Sequence, residues 1–256
     1  MTELDLCVDF LRTFAFRVAK RTSPGRRGQA LLNDQLPRVW SLNYLLAERE
    51  LEAGVTAGEL AEEADRLLGA AGLGHRKVEV LEDEAAARLE PGFRALGWHV
   101  ERDVVMTHRR APDRETDTSG VEELEASELD DVWAEGTRSG PYGADEEVVQ
   151  QLVEHKHVLA AAGARFFAAR ADGRIASHCD LYSDGSTGQI EAVMTLEAYR
   201  NRGLARAVVT KALEESRAAG DDLTFLLADR DDWPRHLYEK LGFDEVGSVY
   251  EFLLRR

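Results

Sequence analysis

The stretch from Gln189 to Leu213 constrains the chain more than any other. Gln189 to Thr195 alternates apolar and polar residues in the manner of a half-buried strand. From Leu204 onward Leu204, Val208 and Ala212 recur at helical spacing. Between them Arg200-Asn201-Arg202-Gly203-Leu204-Ala205 makes a polar turn that opens directly into the helix. A helix start carries backbone N–H groups without partners and the positive end of the helix dipole. An anion docks there readily. Gly203 lets the backbone approach a ligand closely, Ala205 keeps the first turn slim, and Arg200, Arg202 and Arg206 add positive charge suited to phosphate oxygens. The junction reads as a pyrophosphate cradle between strand and helix.

A second landmark follows. Leu223 to Ala228 is an apolar, strand-like run. Asp231-Asp232-Trp233-Pro234 offers a capping carboxylate and an early proline, a helix-start signal. His236-Leu-Tyr-Glu-Lys-Leu-Gly-Phe243 then ends on Gly242 as a helix stop. No G-x-x-x-x-G-K-S/T and no G-x-G-x-x-G stands at the junction.

At these residues the chain resembles the GNAT superfamily of N-acetyltransferases. Its acyl-CoA loop, Arg/Gln-x-x-Gly-x-Gly/Ala, is met by Arg200, Gly203 and Ala205, and its Leu-Tyr-x-x-Leu-Gly-Phe helix by residues 237–243. The resemblance covers roughly residues 121–256 and implies acetyl-CoA as cosubstrate. It implies contacts to CoA from Arg200, Asn201, Arg202, Gly203, Leu204, Ala205 and Arg206. It also implies backbone pairing of Val193 and Thr195 with the pantetheine arm, and Tyr238 as proton donor to the leaving thiolate. At its ordinary pKa near ~10 a tyrosine is protonated at pH 7, as a donor must be. Glu191 is the first candidate for the base that deprotonates the amine, directly or through water. His178 and Asp180, which share a strand face with Tyr182, are the others. Cys179 falls on the core face, and no His, Cys or Asp grouping has zinc spacing, so no metal is expected.

The first part of the chain echoes the second at one constant spacing: Gly97 falls on Gly242, Gly58 on Gly203, Val78 on Leu223 and Phe93 on Tyr238. The expected fold is therefore α/β: tandem GNAT-like halves, each a mixed, mostly antiparallel sheet flanked by helices. Residues 1–110 form the degenerate half, 111–120 a polar linker containing Pro112 and Gly120, and 121–256 the catalytic half. In the degenerate loop Val55 stands for Arg200, Ala57 for Arg202 and Leu60 for Ala205, while Glu59, Glu62, Glu63 and Asp65 crowd the helix start. Those carboxylates suit a helix dipole but repel a pyrophosphate. Phe93 has no hydroxyl to give a proton.

Local signals fill in the rest. Asp5 to Ala19 reads as a helix, or as a short helix and a strand. Trp40 to Ala47 reads as a strand, and Thr56 to Ala71 as a helix capped by Thr56. Glu84 to Leu96 reads as a helix that Pro91-Gly92 breaks or ends, and Trp98 to Arg109 as one or two strands. Ser127 caps a short acidic helix, and Asp145 to Ala162 is a longer one. Asp172-Gly173 turns a hairpin. Residues 244–255 read as a final strand pair.

Bulk properties narrow the function. The chain has 256 residues and a net charge of −16. That charge argues against nucleic acid or an anionic membrane as partner and is compatible with an amine substrate, although acidity also simply promotes solubility. Two cysteines are too few for a disulfide framework, which makes the cytoplasm the default location. No apolar run approaches the ~20 residues of a membrane span, and the N-terminus, with Glu3 and Asp5, does not read as a signal peptide. The expectation is acetyl transfer to a primary amine of a small molecule or peptide by direct attack in a ternary complex, by a monomer or homodimer. The alternative is a non-catalytic acyl-CoA-binding regulatory or interaction protein.

Overall fold

The structure is a computed structural model and describes residues 1–255. In chain order the elements are α1 (Glu3–Val18), β1 (Arg21–Pro24), β2 (Gly28–Leu32), β3 (Tyr44–Ala47), α2 (Ala57–Ala70), β4 (His75–Val80), α3 (Asp83–Ala95) and β5 (His99–His108). They continue with β6 (Val121–Leu124), α4 (Asp130–Arg138), α5 (Glu146–Ala161), β7 (Arg165–Ala171), β8 (Arg174–Ser183) and β9 (Thr187–Thr195). The last are α6 (Leu204–Ala219), β10 (Leu223–Asp229), α7 (Pro234–Leu241) and β11 (Phe243–Arg255). The class is α/β, mixed and mostly antiparallel, with flanking helices.

The residues gather into two compact units. One holds Met1–Phe10 and Met106–Val246, the other Leu11–Val105 and Gly247–Arg256. The boundaries therefore fall inside α1, β5 and β11, not within the polar stretch 111–120. That stretch follows a backbone clamp. Arg109 N and Arg110 N both donate to Gly242 O, and Asp113 N donates to Lys240 O. Gly242 has φ 97°, and a Cβ there would come within 2.1 Å of Arg110 O, so only glycine admits the segment.

In the unit of residues 11–105 and 247–256 the strand order is β1-β2-β3-β4-β11-β5. β3 and β4 are parallel, with Leu45 opposite Val78, while β1–β2, β2–β3 and β4–β11 are antiparallel. Leu60, Ala64 and Leu68 of α2 and Ala86, Leu89 and Phe93 of α3 bury against Leu45, Val78 and Val80 of the sheet. Phe93 stacks on Phe252 at 4.0 Å between ring centroids. α2 and α3 are amphipathic for this burial.

Pro91 lies inside α3, which runs unbroken from Asp83 to Ala95, contrary to the expected break. A helix-interior proline costs about 3 kcal/mol. Burial of Leu89 and Phe93 on either side, at roughly 1.5–3 kcal/mol each, outweighs that cost. Phe93 and Gly92 also pack the helix closely, since a Cβ on Gly92 would meet Ala57 Cβ at 2.8 Å.

In the other unit the order is β6-β7-β8-β9-β10, antiparallel except for the parallel pair β9–β10. α6 packs on β7, β8 and β9. The succession β3-α2-β4-α3-β5 recurs as β9-α6-β10-α7-β11, each with one parallel pair at the corresponding place. Asp172 (φ 52°) and Gly173 (φ 80°) turn the β7–β8 hairpin as expected. Asp145 caps α5 through Glu147 N and Val148 N.

Several local expectations give way. α1 is a single helix. Trp40–Leu42 is one 3-10 turn, and the strand starts only at Tyr44. Ser127 sits inside a 3-10 turn, Ala126–Glu128, whose cap is Glu125. Trp233 occupies the cap position of α7, with Pro234 after it, and its side chain caps nothing; Asp232 Oδ1 accepts instead from Trp233 N at 2.7 Å, one residue ahead of the helix. β11 is one strand of 13 residues, not a strand pair.

Candidate active site

The site is built where β9 leaves β10. The parallel pairing runs from Thr187↔Leu223 to Ile190↔Leu226 and stops, while β9 continues to Thr195 and β10 to Asp229. On the other side of β9 the register shifts. His178 faces Met194 and Asp180 faces Glu191, so Ala192 and Val193 together oppose Cys179. Ala192 takes φ 51°, the left-handed conformation of a bulge. A bulge bends its strand and raises the local twist. Here it falls just beyond the last β9–β10 pair and accounts for the parting of the strands.

The parted strand opens on a cleft of about 930 Å³. Val193, Met194 and Thr195 line it, together with Tyr199, Arg200, Asn201 and the first residues of α6. Leu237 and Tyr238 of α7 line it, with Trp233 just ahead of that helix. The volume lies within the usual range for small-molecule sites, ~300–1,000 Å³.

α6 begins at the cleft with its N-terminus uncapped. Gly203 is the cap residue at φ 83°, no side chain caps the helix, and its first turn carries no acidic residue. A Cβ on Gly203 would meet nothing within 4 Å, so what glycine supplies is the left-handed backbone and not clearance. The N–H groups of the first turn are thus left for a ligand. α2, the counterpart helix, is closed. Thr56 Oγ1 accepts from Glu59 N, and the Glu59 carboxylate accepts from Thr56 N at 2.8 Å. That capping box spends the donors that an anion needs. Val55 and Leu60 there are core residues, as is Phe93.

The loop arginines differ in disposition. Arg200 lines the cleft, its Nε 3.4 Å from Thr195 O. Arg202 turns away to Asp172 (3.4 Å) and stacks over the Tyr199 ring at 5.0 Å; it does not line the cleft. Arg206 is buried and lies 2.8 Å from the Asp113 carboxylate, so much of its charge is answered within the protein. Asn201, at φ 63°, Leu204 and Ala205 line the cleft.

Tyr238 is buried on the cleft wall, and its hydroxyl makes no hydrogen bond among the described residues. Burial, then the nearby Glu191 charge, push its pKa above the ordinary value, which keeps the hydroxyl protonated. Glu191 does not line the cleft. Its Oε2 accepts from Gln189 Nε2 at 2.8 Å and its Oε1 from Ala192 N at 3.2 Å. Burial raises its pKa above the usual carboxylate value, the Asp180 charge adds to this, and the Ala192 N–H and Lys156 pull against it.

Behind Glu191 lies a buried polar cluster. Asp180 Oδ2 accepts from Lys156 Nζ (2.6 Å) and Tyr182 OH (3.0 Å). Lys156 also stands over the Trp133 ring at 5.7 Å. Burial, with the Lys156 ammonium beside it, drives His178 down to about 3, so it stays neutral. It is therefore a poor candidate for the base near neutral pH. Cys179 is a buried thiol with its pKa raised by burial, in keeping with a core position.

Sequence reasoning missed Asp113, Tyr199 and Trp233 as cleft residues. Asp113 had no signal, because backbone bonds to Gly242 and Lys240 bring it there. Trp233 had one: a tryptophan just before Pro234, at a helix start.

Residues 128–243 match the model of the acetyltransferase (GNAT) family. A search of the curated proteins finds no match. Among solved structures, a functionally unknown conserved protein from Staphylococcus epidermidis is similar at 15% identity. It aligns over 91% of this chain and 93% of its own, with a TM-score of 0.66. A GCN5-related N-acetyltransferase from Kribbella flavida is similar at 18% identity over 98% and 95%, with a TM-score of 0.65. A tandem GNAT protein from the clavulanic acid biosynthesis pathway is similar at 14% identity over 91% and 80%, with a TM-score of 0.59. At these identities the likeness is one of fold. The family match itself spans residues 128–243 and takes in most of the cleft lining, the start of α6 and α7.

Proposed function

We propose that residues 121–256 act as an acetyl-CoA-dependent N-acetyltransferase on a primary amine of a small molecule or peptide. Residues 1–110 act as a disarmed relative of that half. The observation that carries this reading is the uncapped start of α6 at Gly203, open to a cleft that Tyr238 also lines. The residues present fit acetyl-CoA. The N–H groups of Leu204, Ala205 and Arg206, with Arg200, would hold the diphosphate. The backbone of Val193 and Thr195, beyond the last β9–β10 pair, would hold the pantetheine amides as an added strand does.

Bound acetyl-CoA supplies an activated acyl thioester. The chain's part is chiefly positioning. An N–H of the parted strand polarises the carbonyl oxygen. Glu191, set back from the cleft, takes the proton from the amine through water, and the nitrogen lone pair forms the new C–N bond. Tyr238 gives its proton to the departing sulfur as the C–S bond breaks. The reduced, buried Cys7 and Cys179 accord with a cytoplasmic setting.

Calorimetric titration with acetyl-CoA, followed by an amine screen for acceptor-dependent thiol release, tests the proposal. Binding with turnover is expected. Binding without turnover on any amine would favour a non-catalytic acyl-CoA-binding regulator, and no binding would remove the proposal altogether.

A further inference from the structure

The unit containing the cleft pairs most of its cations internally. Arg138 meets Glu146, Arg165 meets Glu123 and Glu215, and Lys156 meets Asp180. Arg114, Arg200 and Lys240 are in no ion pair among the described residues, and all three line the cleft. Elsewhere in the unit only Arg217 and Arg235 share that state, and Arg217 is bonded to His108. In a chain with 48 acidic and 32 basic residues, unpaired cations gathered at one opening point to an anionic ligand. Arg200 belongs to the cradle at α6. Arg114 and Lys240 lie outside the loop motif, and the diphosphate cradle does not account for them.

Trp233 lines the same cleft and is 62% exposed, whereas Trp133 is 5% exposed. A single exposed aromatic side chain needs no explanation by itself. An exposed indole that shares a cleft with unpaired cations is different, because it offers a flat face to a flat ring in the same opening as charge for an anion; Asp232, which also lines the cleft, has its Oδ1 taken by Trp233 N. A planar base stacked on an aromatic ring gains affinity without needing hydrogen-bond readout.

We propose that Trp233, Arg114 and Lys240 form a subsite for the adenosine 3′-phosphate end of CoA, the adenine stacking on the indole and the two cations binding the 3′-phosphate. The inference rests on the acyl-CoA reading of the cleft. It makes the donor requirement specific: CoA thioesters over those of dephospho-CoA or phosphopantetheine.

The test is calorimetric titration of the full chain with CoA, 3′-dephospho-CoA and 4′-phosphopantetheine. Trp233→Ala should weaken CoA and dephospho-CoA about tenfold each and leave phosphopantetheine unchanged. The double variant Arg114→Ala/Lys240→Ala should weaken CoA about tenfold or more and leave dephospho-CoA unchanged. All three side chains are exposed, so folding should be unaffected, which the melting temperature checks. Wild-type CoA affinity in Trp233→Ala overturns the subsite. So does a rise confined to the acceptor KM, which would give the indole to the amine substrate. If wild type binds none of the three compounds, the acyl-CoA reading fails, and the subsite with it.

Discussion

Replacing Gly203 separates the two things a glycine can do at a helix start. At φ 83° a side chain pays for the left-handed backbone, about 1–2 kcal/mol. That cost is present with and without ligand, so Gly203→Ala should lower the melting temperature by several degrees and leave CoA affinity within about twofold. Its Cβ meets nothing within 4 Å, so bulk adds little. Gly203→Glu carries the same backbone cost and adds a carboxylate beside the N–H groups that would face the diphosphate. A unit charge about 5 Å away is repelled by roughly 3 kcal/mol at an effective dielectric near 20, and by under 1 kcal/mol in bulk water. The diphosphate carries about two such charges. Allowing for solvent at an open cleft, the loss is at least about 2 kcal/mol, or ~30-fold in Kd. The loss should shrink as salt is raised. The assay is calorimetric titration of acetyl-CoA into wild type, Gly203→Ala and Gly203→Glu at two ionic strengths. Wild-type affinity in Gly203→Glu refutes the cradle. An equal loss in Gly203→Ala refutes the electrostatic argument.

Three further outcomes follow from the side chains behind the cradle. Tyr238→Phe should lower kcat by about 100-fold with KM for acetyl-CoA little changed, measured as thiol release at saturating amine. Glu191→Gln should lower kcat/KM and abolish the acid limb of its pH profile. In wild type that limb should lie above the ordinary carboxylate range, because burial raises the Glu191 pKa and only the ionised form is a base. His178 binds a proton in the unfolded chain near 6.5 but in the fold only near about 3. The unfolded state therefore binds more protons in that window. The stability this group contributes is present above 6.5 and is lost as pH falls towards 3, by up to about 1.4 kcal/mol per pH unit. Denaturant melts at pH 7 and pH 5 should show a smaller acid loss in His178→Gln than in wild type.

Which features could be read from the sequence follows from where each is encoded. Gly203 and the arginines around it are local signals, and the structure places the turn at the start of α6 as that spacing requires. The Asp172-Gly173 hairpin and the recurrence of β3-α2-β4-α3-β5 were legible for the same reason. The bulge at Ala192 was not. It is defined by counting two residues against Cys179 on the partner strand, and the alternation of β9 by itself is silent on that count. Asp113 escaped because backbone hydrogen bonds, which composition does not record, carry the polar segment to the cleft. Pro91 misled because a local rule was outweighed by the burial of Leu89 and Phe93. The ends of the chain misled too: Met1–Phe10 and Gly247–Arg256 each belong to the unit formed by the opposite part of the sequence.

A crystal structure of the protein grown with acetyl-CoA tests the central claim most directly. The diphosphate should lie against the backbone N–H groups of Leu204, Ala205 and Arg206, with the thioester near the Tyr238 hydroxyl. Ligand density at the Thr56–Glu59 turn instead, or a diphosphate held away from the α6 amides, would contradict it.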